Sequence, residues 1–179
     1  MNERVYNREI TRLRDPERVE RLEIERVVEL ALEGHSFRSV LDVGTGSGLF
    51  AEAFAQRGLA VSGIDIKEEM ISAAGEFVPE GEFKIGQAEH LPYEDASFDL
   101  VYLGLVLHEA DDALEALKES RRVARSRAAI LEWRYAVEDF GPPLEHRLTA
   151  EIITSMANRA GFQSVEAISL KCLILYRLE

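Results

Sequence analysis

Three glycines within five residues constrain this chain more than any other feature. In VLDVGTGSGLF, residues 40 to 50, they occupy positions 44, 46 and 48, directly after an apolar run and directly before the helical pattern LFAEAFAQRG. A turn of this kind leaves the backbone bare where a strand hands over to a helix, so a ligand can approach the main chain closely. Asp42, two residues ahead of the first glycine, narrows the choice of ligand. An acid there opposes a pyrophosphate, and the only cation between residues 39 and 66 is Arg57, at the far end of the helix.

Around that turn, short apolar runs alternate with helical patterns. Asp15-Pro16 starts a helix whose loose apolar face runs through Val19, Leu22, Val27, Leu30 and Ala31 to Gly34. Strands are expected over 39–43, 60–66, 82–88, from 98 onward, and over RAAILEW at 127–133. Helices are expected over 49–58, 68–78, 112–125 and 149–160, with Gly58, Pro79 and Gly161 as stops. Two last strands, SVEAISL and CLILYRL, have no helix between them and pair as a hairpin. The expected fold is therefore α/β, Rossmann-like and doubly wound: a mostly parallel, seven-stranded sheet with a C-terminal antiparallel hairpin and helices on both faces. Residues 1–179 form a single domain, with 1–34 as an N-terminal helical segment and 35–179 as the core. Ligands of such sheets bind beyond the carboxyl ends of the strands.

Charge and cysteine content exclude several functions. The net charge of −12 repels nucleic-acid phosphates, so no nucleic-acid partner is expected. The apolar run LVYLGLVL, eight residues long, is far too short to span a bilayer, and MNERVYNREITRLRD lacks the apolar stretch of a secretory signal. A soluble, cytoplasmic protein is the expectation. Cys172 is the single cysteine, which rules out an internal disulfide and a cysteine-based metal site. A metal set of His108, Glu109, Asp111 and Asp112 is outweighed by the tendency of acids after a strand to cap the next helix, so no metal is expected.

The glycine spacing G-x-G-x-G departs from the dinucleotide fingerprint, and Leu49-Phe50 stands where a P-loop requires Lys and Ser or Thr. Asp65, 21 residues after Gly44 at the end of the second strand, is placed to accept both hydroxyls of a ribose. A ribose, close backbone approach and an acid beside the loop together suit a cationic nucleoside.

With these residues the chain resembles the class I S-adenosylmethionine-dependent methyltransferases, in the small group related to the ubiquinone and menaquinone enzymes. Residues 40 to 48 match the first motif and Gly63-Ile64-Asp65-Ile66 the second. Ala88-Glu89-His90-Leu91-Pro92-Tyr93, then Phe98-Asp99-Leu100-Val101, match a third, and Leu107-His108 with Asp111 a fourth. The resemblance implies S-adenosylmethionine as cofactor, S-adenosylhomocysteine as product, and methyl transfer to a small-molecule acceptor by in-line displacement. It places Asp42, Gly44, Thr45, Gly46 and Gly48 around the amino-acid part of the cofactor. Asp65 would meet the ribose, and Ile66, Gln87, Ala88 and Glu89 the adenine side. Leu103 would offer its carbonyl to the ammonium group. Gln87 stands where the family carries Asp, and Glu89 also reads as a solvated acid.

His108 is the candidate general base, with the alternative of a helix-start histidine that orders its loop. The connector EWRYAVEDFGPPLEHRLTAE, 132 to 151, offers Trp133, Arg134, Tyr135, His146 and Arg147 as acceptor contacts, and Tyr6 joins them if the N-terminal segment folds over the pocket. The bland reading of the connector is a surface loop stiffened by Pro142-Pro143. A protein methyltransferase, a non-catalytic cofactor-binding module and a hydride-transferring Rossmann enzyme stand as alternatives. A homodimer is compatible with all of them.

Overall fold

The computed structural model describes residues 10–179 of the chain. Tyr6, and with it the outer part of the expected lid, lies outside the described residues. A 3-10 turn, Ile10–Arg14, leads into α1 (Pro16–Leu22) and α2 (Ile24–Leu32). Asp15 caps α1 by accepting from the Glu17 N–H at 3.0 Å, with Pro16 in the first turn. The single helix expected up to Gly34 is broken at Glu23, whose backbone is left-handed (φ 48). This break lets Leu22 on one side, and Val27, Val28 and Ala31 on the other, reach the same core.

The core alternates strand and helix: β1 (Ser39–Val43), α3 (Leu49–Gln56), β2 (Ala60–Asp65), α4 (Glu68–Phe77), β3 (Glu82–Ile85), β4 (Phe98–Gly104), α5 (Ala113–Val123), β5 (Ala124–Trp133) and α6 (Ala150–Arg159), then β6 (Val165–Ser169) and β7 (Leu173–Leu178). These strands form one seven-stranded sheet in the order β3-β2-β1-β4-β5-β7-β6. The first five run parallel, and β7 runs antiparallel between β5 and β6. The doubly wound sheet and terminal hairpin expected from the sequence are both present. Strand order reverses between β1 and β4, where the chain leaves the β2-β3 side and returns on the other flank. Parallel sheets part their loops at such a point and leave a crevice.

Burial on both faces explains why β4 reads as an unbroken apolar run. Leu100 and Tyr102 face α1, α2 and α3, while Val101 and Leu103 face α5 and α6. On the first side Phe50 and Phe54 of α3 hold the Tyr102 ring, with centroids 4.9 and 5.2 Å away. Asp99 does its work at the opposite end of the sheet, where it accepts from the Arg38 and Ser39 N–H groups and pairs with Arg125. No helix among the described residues is long and apolar enough to cross a membrane.

Phe54 is fully buried against Tyr102. Phe54→Ala is expected to cost about 3–5 kcal/mol of stability. Urea unfolding checks this, and a loss under about 1 kcal/mol would place the core elsewhere.

Candidate cofactor site and its neighbouring histidine

The carboxyl ends of β1, β2 and β4 bring the expected residues together. Gly44, Gly46 and Gly48 all have left-handed backbones, with φ of 67, 53 and 74. The space that their missing side chains leave is occupied largely from within the chain. A Cβ on Gly44 would fall 2.2 Å from Val106 Cγ2, one on Gly48 would fall 2.9 Å from the Ala74 Cα, and one on Gly46 would lie 3.3 Å from Leu13. The glycines are therefore required first by the close approach of the loop after β4, of α4 and of the N-terminal turn.

Two carboxylates hold this turn. Asp65 Oδ2 accepts from the Gly46 N–H and Oδ1 from the Lys67 N–H, both at 3.0 Å. Burial raises its pKa, opposed by those two backbone bonds. Asp42 is almost fully buried and accepts from the Thr45 hydroxyl at 2.8 Å. Burial pushes Asp42 from 3.8 up to about 7, against the Thr45 hydrogen bond, with the Asp65 charge adding to the rise. The Thr45 N–H bonds the Ile64 carbonyl at 2.9 Å, so this residue ties β1 to β2 with both of its polar groups.

Ile66 and Ile85 stand exposed beside Asp65, Ile85 being its register partner on β3. Gln87 is exposed and Ala88 buried just beyond them. Leu103, one residue before the end of β4, is fully buried. A half-buried carboxylate flanked by two apolar side chains suits a nucleoside, with hydroxyls for the acid and a flat base for the ledge. The Ser47 hydroxyl, buried without a partner among the described residues, adds a polar atom inside the turn. These residues fit the group that the motifs imply.

The N-terminal turn lies on this loop. Arg14 donates to the Ser47 carbonyl from Nε and Nη2, at 3.3 and 2.9 Å, and to Glu52 at 2.7 Å, while its guanidinium sits 3.3 Å from the centre of the Phe77 ring. Leu13 and Arg14 carried no distinguishing signal in the sequence beyond an apolar and a basic residue before a helix cap.

Several expected site residues serve other ends. Glu89 faces the start of α5, where Oε1 accepts from the Asp111 and Asp112 N–H groups at 2.8 and 3.2 Å, so the adenine contact assigned to it is withdrawn. Asp112 caps α5 by accepting from the Glu115 N–H. Arg147, 4% exposed, donates to the carbonyls of Pro142, Arg134, Ala136 and Phe140 and lies over the Trp133 ring. With its donors committed to backbone, it cannot clamp a substrate anion. Trp133 is buried between that guanidinium and Phe140, and so packs the loop instead of meeting an acceptor. Arg134 donates to the Lys171 carbonyl in the terminal hairpin, 3.8 Å from Glu138. Tyr135 keeps an exposed side chain, and His146 is half-buried in a short 3-10 turn.

One partnership escaped the sequence reading. His108, 4% exposed, has Nδ1 at 2.8 Å from Glu132 Oε2 and 3.1 Å from Oε1, and its N–H donates to Oε1 at 3.1 Å. Glu132, 1% exposed, ends β5. Burial lowers the His108 pKa, but the charge and hydrogen bond of Glu132, helped by Glu109, raise it above its ordinary 6.5. The signal was present: an acid in the apolar strand AAILEW is rare without a partner.

With this geometry in view, a model for the methyltransferase domain matches residues 41–131, about half of the chain. The chain belongs to the class I S-adenosylmethionine-dependent methyltransferase family. A demethylmenaquinone methyltransferase of Thermotoga maritima is 33% identical over 129 residues, covering 71% of this chain and 54% of that protein. A malonyl-[acyl-carrier protein] O-methyltransferase of Erwinia pyrifoliae is 35% identical over 107 residues, covering 60% of this chain and 40% of that one. The chain thus spans about half the length of the curated relatives it matches. A crystal structure of a SAM-dependent methyltransferase from Aquifex aeolicus superposes with a TM-score of 0.82 at 27% identity, covering 94% of this chain and 95% of that one.

The buried Asp42 sets a pH dependence for this family member. Its folded-state pKa, about 7, stands above the unfolded 3.8, so its stabilising contribution is fully present below 3.8 and is lost as pH rises through about 7. Asp42→Asn should therefore gain on the parent protein as pH rises, by up to about 1.4 kcal/mol per pH unit across that window. Urea midpoints at about pH 5 and about pH 8 test this, and a pH-independent difference would contradict it.

Proposed function

We propose that this chain transfers a methyl group from S-adenosylmethionine to a small-molecule acceptor. The observation that carries the reading is Asp65, a half-buried carboxylate at the carboxyl end of β2, pinned to the glycine turn after β1 through the Gly46 N–H. The cofactor supplies an electrophilic methyl group on a positively charged sulfur. Asp65 offers its remaining lone pairs to the ribose 2′- and 3′-hydroxyls. Ile66 and Ile85 give an apolar seat to adenine, while the Gln87 side chain and the Ala88 N–H address its edge. An amide at Gln87 can still accept from the exocyclic amine. The Leu103 carbonyl receives the ammonium group, and the buried acid of Asp42, held by Thr45, favours positive charge nearby.

The acceptor enters beside the β5–α6 connector, where Tyr135 is 51% and Val137 84% exposed. These two side chains, with His146, offer apolar and aromatic contact to a small organic molecule. The net charge of −12 disfavours a nucleic-acid acceptor. The chain's own contribution to rate is alignment and exclusion of water around the methyl carbon.

Calorimetric titration with S-adenosylmethionine should give micromolar binding, and Asp65→Ala should weaken it at least tenfold, about 1.4 kcal/mol. Equal affinity in the variant would remove the ribose assignment. Formation of S-adenosylhomocysteine with a metabolite mixture, and not with polypeptide, separates a small-molecule enzyme from a protein methyltransferase. Binding without turnover in either mixture would identify a cofactor-binding module.

A further inference from the structure

We propose that the turn Ile10–Arg14 is a working part of the cofactor site, in which Arg14 is a positioning residue that sets the Ser47 peptide of the glycine turn from outside. The inference rests on the methyl-transfer reading above and deepens it, by making cofactor affinity depend on residues ahead of α1.

The Ser47–Gly48 peptide is the part of the turn that most needs a fixed orientation. Gly46 and Gly48, on either side of Ser47, have φ of 53 and 74, and a glycine passes between both signs of φ at little cost. Inside the turn the Gly48 N–H donates to the Thr45 carbonyl at 2.9 Å. Outside it the Ser47 carbonyl accepts from Arg14 Nε at 3.3 Å and from Nη2 at 2.9 Å. The peptide is thus gripped at both of its polar ends. One residue earlier in the chain, the Gly46 N–H donates to Asp65, the carboxylate assigned to the ribose. A rotation at Ser47 is therefore passed directly to that acid.

Arg14 is itself held from several sides. Nη1 donates to Glu52 Oε2 on α3 at 2.7 Å, and the Phe77 ring on α4 has its centre 3.3 Å from the guanidinium. Arg18 on α1 donates to the Leu13 carbonyl at 2.8 Å, and the buried Leu13 side chain lies 3.3 Å from where a Cβ on Gly46 would stand. Leu22, Val27 and Val28 fasten α1 and α2 to the core independently of these bonds. Losing Arg14 thus frees the turn without unfolding the domain. The Glu52 charge offsets that of the guanidinium, so Arg14 acts on the cofactor through peptide geometry and not by repelling its sulfonium.

Such a coupling is reciprocal. A docked turn that favours the cofactor is itself favoured by bound cofactor, and by the same factor.

Calorimetric titration with S-adenosylmethionine, run well below the melting temperature of each variant, measures the coupling. Arg14→Gln should raise the Kd about tenfold, within the usual range for coupled sites. Arg14→Lys keeps the charge and a donor but not the flat fork, and should recover part of the loss. Glu52→Gln leaves the Ser47 bonds in place and should stay within about threefold of the parent, as for other partly exposed ion pairs. In the unmodified protein, NMR should show the Arg14 Nε–H exchanging with solvent more slowly by the Arg14→Gln factor once cofactor saturates the site. This last measurement decides the matter whatever the stability of the variants. An Nε–H whose exchange ignores the cofactor would overturn the proposal, as would a folded Arg14→Gln protein that binds as tightly as the parent. Equal losses in Arg14→Gln and Glu52→Gln would overturn the role of the Ser47 peptide. Absence of heat from the parent protein removes the methyl-transfer reading itself, whereas heat from the parent with an unmoved variant removes this inference alone.

Discussion

The two backbone hydrogen bonds accepted by Asp65 set the position of everything else at the strand ends. One comes from Gly46, in the turn after β1, and the other from Lys67, at the entry to α4. A single carboxylate thereby fixes the loops after β1 and β2 against each other, one strand away from the point between β1 and β4 where the strand order reverses. A charge-assisted hydrogen bond to backbone is stronger than a neutral one, which suits a glycine-rich loop whose one side-chain anchor is the Thr45 hydroxyl on Asp42. The glycine turn is held by the acid of the next strand together with the Asp42–Thr45 bond inside it and the Arg14 contact outside it.

That arrangement concentrates acid where burial makes acid costly. Asp42, Asp65 and Glu132 lie at or one residue before the carboxyl ends of β1, β2 and β5, and burial acts directly on the first two to raise their pKa values. The Tyr102 hydroxyl, fully buried and without a partner among the described residues, responds to both Asp42 and Glu132. Concentrated negative charge of this kind is relieved by a cation. The N-terminal turn supplies one to the outer side of the loop through Arg14, which bonds the Ser47 carbonyl and Glu52. On the inner side, a sulfonium or ammonium ligand would supply another. The electrostatics of these strand ends thus agree in sign with the cofactor that the family uses.

How much of this was legible in the sequence follows from the range of each interaction. Periodicity and breakers are local, so β1, the ends of α3 and α6 at Gly58 and Gly161, and the cap at Asp15 were all readable. The break at Glu23 was not, because nothing nearby forbids a helix there, and tertiary burial of Leu22 and Val27 demands the bend. That Asp42, Asp65 and the glycines gather at neighbouring strand ends was legible because each position is set relative to the end of its own strand. The pairing of His108 with Glu132 joins a residue in the turn after β4 to one on β5, 24 positions away, and sheet register had to be known before the two could be placed together.

The connector after β5 shows the opposite failure, in which rich side-chain chemistry reads as a binding surface. Trp133, Arg134 and Arg147 have the chemistry of a recognition site, and the chain uses them to hold its own loop. The reason lies in the backbone. A segment with little regular structure that crosses the end of a sheet leaves carbonyls with no ladder to join, and each must find a donor. Arg147 meets four of them with one planar, permanently charged group, and the Trp133 face supports it from below. Gly141 permits that approach, since a Cβ there would meet the Trp133 ring at 3.0 Å and the Arg147 guanidinium at 3.2 Å. Once those groups are committed inward, the large side chains that the loop leaves exposed are chiefly Tyr135 and Val137. An arginine amid prolines and glycine is thus better read as the hub of a loop than as a clamp for an anion, because the carbonyls of an irregular segment claim its donors first.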